Sequence, residues 1–346
     1  MSEGPRFRIE SVSEQTAAAV ADLFYKVFGY TYTYTDLYDP AEILARERDG
    51  SYTVFVCTGR DGSVPGVLQL TYSLPSPRIL EIGEILVDPE LDASESGQVL
   101  KLMVHRLSHE LRHVADNKGV RTILSLEVTE HRLTQRLSLE MGFMTGGIFL
   151  GYTPGWQRQL RATPRERDRA PAGFRTGPAA DGRRSMVISV RPFRSKTPLQ
   201  KFSVPTRFED VIREIYVDYR LHHEIVPATR AVGSGTLTTE IDFRRERAIV
   251  EVQRVGKDTP DAVLRQLRHF NLGFIDLVQF VLPLSAVDLE PAVEALTTAG
   301  AKFAAVLPDY RDGPVLVMQI IDPALVAPLP QDVLSPRAAR IAAGAM

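Results

Sequence analysis

The chain has 346 residues, enough for about two domains. It is 44% hydrophobic, 8% aromatic and 24% charged, the balance of a globular protein. A net charge of -2 supplies no general attraction to nucleic acid, and one cysteine, Cys57, excludes an internal disulfide or a cysteine-rich metal site. No apolar run approaches the ~20 residues that span a bilayer, and the N-terminus lacks the apolar core of a signal peptide. The expectation is a cytoplasmic protein with no DNA and no membrane partner.

Phe7 and Ile9 alternate with polar residues and predict a short strand. From Glu14 to Phe28, apolar Val20, Leu23, Phe24 and Val27 recur at helical spacing, and Gly29 ends the helix. A loop with Tyr30, Tyr32, Tyr34 and Tyr38 follows, then Pro40 opens a short helix to about Arg48. Tyr52 to Thr58 and Gly66 to Tyr72 read as strands joined by an Asp61-Gly62 hairpin signal. Ile79 to Val87 is a fourth strand, stopped by Asp88-Pro89. Asp92 to Ser96 is small and acidic. Gly97 then opens a long helix with apolar Leu100, Met103, Leu107, Leu111 and Val114, which Gly119 ends. A buried-type strand from Arg121 to Val128, a helix from Arg132 to Met141 and a strand through Ile148 to Tyr152 complete a βααβββαβαβ order.

Pro154 to Arg184 is rich in Arg, Pro and Gly and reads as an interdomain linker with solvated arginines. Beyond it come a strand at Met186–Val190, a helix from Phe208 to Arg220 and a hairpin of Thr236–Phe243 with Ala248–Val255. Thr259-Pro260 opens a helix. A strand from Ile275 to Leu282, a helix to Ala299, and strands at Phe303–Leu307 and Val315–Ile321 close the second half. Ile123–Val128, helix, Gly142, Ile148–Leu150 parallels Leu277–Leu282, helix, Gly300, Phe303–Leu307, which predicts a structural repeat. The boundaries are a first domain at 1–153, a linker at 154–185, a second domain at 186–322 and a Pro/Ala-rich tail at 323–346, expected to pack loosely.

A strand feeding a helix across a small-residue loop, as at Glu81–Val104, is a place where phosphates bind, because orphan N–H groups and the helix dipole converge there. His109-Glu110-Leu111-Arg112-His113 matches the H-E-x-x-H zinc signature. Its histidines, with His105, fall opposite the apolar stripe, so a solvated face is expected and no metal. Gly233-Ser234-Gly235 precedes a strand, not a helix, and reads as a turn; His222-His223 reads as surface.

The element order and the Glu81–Val104 stretch resemble the GNAT acyltransferases over about Phe7 to Tyr152. The whole chain is similar to tandem two-domain GNAT proteins of actinobacterial type, on its tyrosine-rich first loop and on Thr129-Glu130-His131 followed by Thr134-Gln135-Arg136. The fold class implied is α+β (αβα), two GNAT-like domains, each a mixed, mostly antiparallel sheet flanked by helices. The resemblance implies an acyl-CoA, in particular acetyl-CoA, as co-substrate and an N-acyl transfer to a small amine. Glu84 and His131 would handle protons. Ile85, Leu86 and Val87 would hold the pantetheine arm, and Ser94, Glu95, Ser96, Gly97, Gln98 and Val99, with Thr134, the rest of the cofactor. Tyr30, Tyr32, Tyr34 and Tyr38 would face the substrate. The loop departs from the family pattern: only Gly97 matches, while Glu95 and Asp92 stand where a glycine and a cation are usual. Three outcomes stay open: a longer loop that still binds, a compensating cation, or no coenzyme A binding. The alternatives are aminoacyl-tRNA-dependent or CoA-independent acyl transfer, the net charge disfavouring tRNA, and a non-catalytic binding module. A monomer or homodimer is expected.

Overall fold

The structure, a computed structural model, describes residues 6–72, 78–117, 119–130, 132–157, 182–193, 195, 197–270, 275–311, 313–329 and 335–344. His131, the side chain of Val114 and residues 158–181 of the expected linker lie outside the described residues. The chain forms two compact units. One comprises Met1–Val120, Glu130–Leu133 and Trp156–Ala179; the other comprises Arg121–Thr129, Thr134–Gly155 and Ala180–Met346. No helix among the described residues is long and apolar enough to cross a membrane.

The first unit runs β1 (Phe7–Ser11), α1 (Ala17–Phe28), a 3-10 turn (Thr35–Tyr38), α2 (Pro40–Asp49), β2 (Tyr52–Gly59), β3 (Gly66–Thr71), β4 (Ile79–Val87) and α3 (Ala93–Asn117). The four strands pair antiparallel in sequence order. Val56, Val67 and Leu86 lie in one row across β2, β3 and β4. They form a core with Val20, Leu23, Phe24 and Val27 of α1, Leu37 and Ile43. Each such side chain contributes about 1.5–3 kcal/mol when fully buried. The opposite face takes α3. A Cβ at Gly66 would come within 2.5 Å of Val99 and 3.0 Å of Met103, so glycine lets that helix lie close on the sheet. The Arg106 guanidinium sits 4.2 Å above the Phe55 ring.

The second unit runs β5 (Thr122–Val128), α4 (Leu133–Glu140), β6 (Met144–Thr153), β7 (Arg184–Pro192), β8 (Gln200–Phe202), α5 (Glu209–Tyr219), β9 (His223–Ile225), β10 (Thr236–Asp242), β11 (Arg247–Arg254), α6 (Thr259–Phe270), β12 (Leu277–Pro283), α7 (Glu290–Thr298), β13 (Lys302–Tyr310), β14 (Gly313–Ile321) and α8 (Pro336–Ala343). Its main sheet has the order β5-β7-β6-β13-β14-β12-β11-β10. β11 and β12 are parallel and the other pairs antiparallel.

The expected repeat is present and larger than its sequence trace. In β5-α4-β6-β7 the last strand lies between the first two, and β12-α7-β13-β14 repeats that order. The copies meet where β6 and β13 pair antiparallel, Gly147 opposite Ala305.

This placement differs from the boundary drawn at 153 and 186. β7, expected to open the second domain, hydrogen-bonds to both β5 and β6. Residues 154–183 therefore connect neighbouring strands of one sheet. Arg183, expected in solvent, is 4% exposed. Its Nε donates to Gly151 O at 2.7 Å, Nη1 to Glu246 and Asp276 at 3.0 and 3.1 Å, and Nη2 to Arg245 O at 2.7 Å.

The tail is corrected too. α8 is docked, with Ala338 and Ile341 buried. Arg337 reaches inward to Thr145 O at 2.7 Å and to Asp218 at 2.5 Å and Glu214 at 3.1 Å. A guanidinium on a carbonyl and two carboxylates fixes a helix whose alanines alone bury little. Arg337→Ala should lower stability by about 2–3 kcal/mol in urea titration, while Arg340→Ala, at a half-exposed pair with Glu214, should change it by less than about 1 kcal/mol.

Candidate active site

β4 carries a bulge at its centre. Leu68 of β3 pairs with Ile85 and Leu70 with Ile82, so Gln69 faces two residues, Gly83 and Glu84. A bulge bends a strand and re-aims the side chain beside it. A Cβ at Gly83 would meet Gln69 Oε1 at 2.9 Å and Thr71 Oγ1 at 3.3 Å. Those two side chains are joined by a 3.2 Å hydrogen bond from Gln69, so glycine is the residue that fits.

The re-aimed carboxylate meets the tyrosine loop. Tyr32 Oη donates to Glu84 Oε1 at 2.6 Å. Tyr32 is 4% exposed. Its ring packs on Phe28, Phe24 and Tyr34 at centroid distances of 4.6, 5.4 and 5.6 Å. Its N–H donates to Tyr38 Oη at 3.0 Å. Burial raises the Tyr38 phenol above its ordinary pKa, so it stays a neutral acceptor. Tyr30 is 79% exposed, its ring 4.8 Å from Tyr25 and 5.7 Å from Tyr38. The four tyrosines thus divide. Tyr32 orients Glu84, Tyr34 and Tyr38 hold Tyr32, and Tyr30 offers an open face. A second anchor went unforeseen: Tyr52 Oη donates to Asp36 Oδ2 at 2.7 Å. Burial, with Asp36 beside it, pushes that phenol up.

Of the strand residues expected at the pantetheine arm, Leu86 points into the core, and Ile85 and Val87 are half-buried. At α3 the expected anion seat is filled from within the chain. Asp92 Oδ1 accepts from the N–H groups of Ser94 and Glu95, each at 2.8 Å. Ser96 N–H donates to Asp92 O at 2.9 Å. Asp92 is therefore a helix N-cap. The Glu95 carboxylate pairs with Arg6. Lys26 holds Asp88 at 2.8 Å and Glu90 at 2.7 Å. Ser96 and Val99 are buried, Gly97 is buried and Gln98 exposed. A phosphate 4 Å from one of these carboxylates is repelled by about 1 kcal/mol in water and about 4 kcal/mol at a protein surface. Among the described residues, the Asp92 carboxylate occupies N–H groups at which a phosphate was expected.

Thr134, on α4, has its Oγ1 buried with no hydrogen-bond partner among the described residues. In the H-E-x-x-H match, His105, His109 and His113 face solvent, while Glu110 is 8% exposed and bound by Arg106 at 2.7 Å. Gly233, expected in a turn, lies at a bend with φ +65°, and its carbonyl accepts from Lys257 N–H at 3.0 Å.

No family model and no curated protein matches the chain. Among solved structures it is similar to a ribosomal-protein-S5-alanine acetyltransferase from Vibrio fischeri, at 9% identity over 57% of this chain and 98% of that one, TM-score 0.39. An N-acetyltransferase from Staphylococcus aureus is similar at 15% identity over 54% and 99%, TM-score 0.37. A spermidine N-acetyltransferase from Vibrio cholerae is similar at 12% identity over 54% and 94%, TM-score 0.37. These are N-acetyltransferases or acetyltransferases by name, and the architecture assigned to this chain, a mixed and mostly antiparallel sheet flanked by helices, stands on its own strand pairing.

Proposed function

We propose that the chain is a GNAT-type N-acyltransferase acting on a small amine, with Glu84 taking the amine proton. The Tyr32–Glu84 hydrogen bond of 2.6 Å carries this reading. A carboxylate on a strand bulge, oriented by a phenol wedged among three rings, is a base positioned before substrate arrives. As the amine attacks the acyl carbonyl, the C–N bond forms and the bond from acyl carbon to carrier breaks. The amine proton passes to Glu84, and the departing carrier takes up a proton. His131 is assigned as a second proton handler, the Ile85–Val87 backbone as the donor to the oxyanion, and Tyr30 as a wall for the amine. The second half is assigned as a scaffold, in a cytoplasmic monomer or homodimer.

The test is acyl transfer from acetyl thioesters to a panel of small amines, followed by mass spectrometry. Glu84→Gln should lower kcat about a hundredfold with KM within about threefold, since it removes a proton acceptor and little else. Tyr32→Phe should lower kcat about tenfold. No acylated amine, or an unchanged kcat in Glu84→Gln, removes the reading. A second reading, CoA-independent acyl transfer or a binding module without turnover, is favoured by the Asp92 cap on α3. It expects amine binding with no turnover from acetyl-CoA.

A further inference from the structure

We infer that the Asp92 carboxylate is itself the anion that the amino end of α3 holds, so that the donor used by the first unit is an acyl group on a carrier gripped without a diphosphate. A helix start offers its first N–H groups to an anion. Here those of Ser94 and Glu95 are engaged by one carboxylate oxygen, and that of Ser96 by the Asp92 carbonyl. The positive end of the dipole is already met by a negative charge 2.8 Å from two of its first N–H groups. A ligand phosphate would have to displace Asp92 and leave that carboxylate beside it.

Among the described residues, the surrounding charges do not relieve this. Asp88, Glu90 and Asp92 lie between β4 and α3, and Glu95 lies in the first turn of α3. Lys26 is committed to Asp88 and Glu90, and Arg6 to Glu95. These two cations are each occupied by carboxylates of the stretch itself. Ser96 is 2% exposed, and its Oγ has no hydrogen-bond partner among the described residues. The chain thus builds into itself the charge that a diphosphate donor would have brought.

The word donor rests on the acyl-transfer reading; the measurement does not, because it reads binding alone. The full chain is titrated calorimetrically with coenzyme A and with pantetheine, which lacks the diphosphate. The expected result is an affinity for coenzyme A within threefold of that for pantetheine, or no detectable binding of either at 1 mM, which is about the weakest binding the method reads. Asp92→Gly, glycine being tolerated at a cap position, should raise affinity for coenzyme A at least tenfold over the wild type and leave pantetheine unchanged. Asp92→Ser keeps a neutral cap and should gain about threefold, so the comparison survives if the glycine variant fails to fold. A wild type that binds coenzyme A ten times tighter than pantetheine overturns the inference. So does a folded variant that gains no affinity for coenzyme A. Failure to acylate any amine would remove the function proposed above and leave this ratio standing.

Discussion

Gly147→Ala should destabilise the second unit by about 3 kcal/mol or more, or prevent its folding. A Cβ at this position would lie within 2.5 Å of Ala305 Cα and closer still to the Ala304 carbonyl oxygen. Neither can yield, since both are backbone and both residues are fully buried. Gly147 stands opposite Ala305 where β6 and β13 join the two repeated halves of the sheet. The neighbouring Gly146 leaves room for Tyr219, whose Oη donates to Val306 O at 2.9 Å. An added methyl must therefore push β6 away from β13 or bend one of them, and overpacking of this kind typically costs about 1–3 kcal/mol even where side chains can give way. Gly313→Ala is the control. Nothing lies within 4 Å of its Cβ position and its φ is ordinary, so a change within about 0.5 kcal/mol is expected. Urea titration of both variants reads the difference. Equal stabilities would mean that the β6–β13 junction is looser than its geometry.

The periodic elements were legible because each depends on neighbours a few residues away. The α1 stripe of Val20, Leu23, Phe24 and Val27 is buried as its spacing requires. The Gly62 hairpin forms, with φ +81° at that glycine. What sequence order could not reveal was which strands pair. β7 reads the same whether it opens a domain or inserts between β5 and β6. Gly83 carries the signal of the bulge, as a lone glycine in a strand does, but which partner residue it leaves unpaired depends on the register with β3. The same limit applies to α3. Asp92 followed three residues later by Glu95 is a capping signature, yet against the resemblance it reads only as an anion where a cation is usual. At the helix start in the second half the side chains turn away from the helix instead: Thr259 Oγ1 accepts from Gly256 N–H at 2.8 Å and Asp258 from Gly235 N–H at 2.6 Å. The tail misled because its alanines speak for weak burial, while a single arginine decides its docking.

Glu127→Gln should remove about 3 kcal/mol of the loss of stability between pH 4.5 and 7 and stabilise the fold at pH 8 by the same amount. Glu127 lies on β5, 2% exposed, on the face shared with Ser125 and Thr129 and, across the register, with Ser189 of β7. Burial pushes its carboxyl up to about 7, against the opposing hydrogen bonds of Ser138 and Ser189. Its Oε1 is buried and has no hydrogen-bond partner among the described residues. The folded chain therefore keeps a proton that the unfolded chain releases near the ordinary value of 4.5. Below pH 4.5 both states are protonated and stability is full. As pH rises, the unfolded state is favoured progressively, until the folded carboxyl also ionises near 7, above which the loss levels off. A shift of this size amounts to about 3 kcal/mol. Glutamine keeps the shape and never ionises, so its curve should fall by about 3 kcal/mol less than that of the wild type over this range. Parallel curves for the two proteins from pH 5 to 8 would show that Glu127 is ionised in the fold and held by groups other than the two serines.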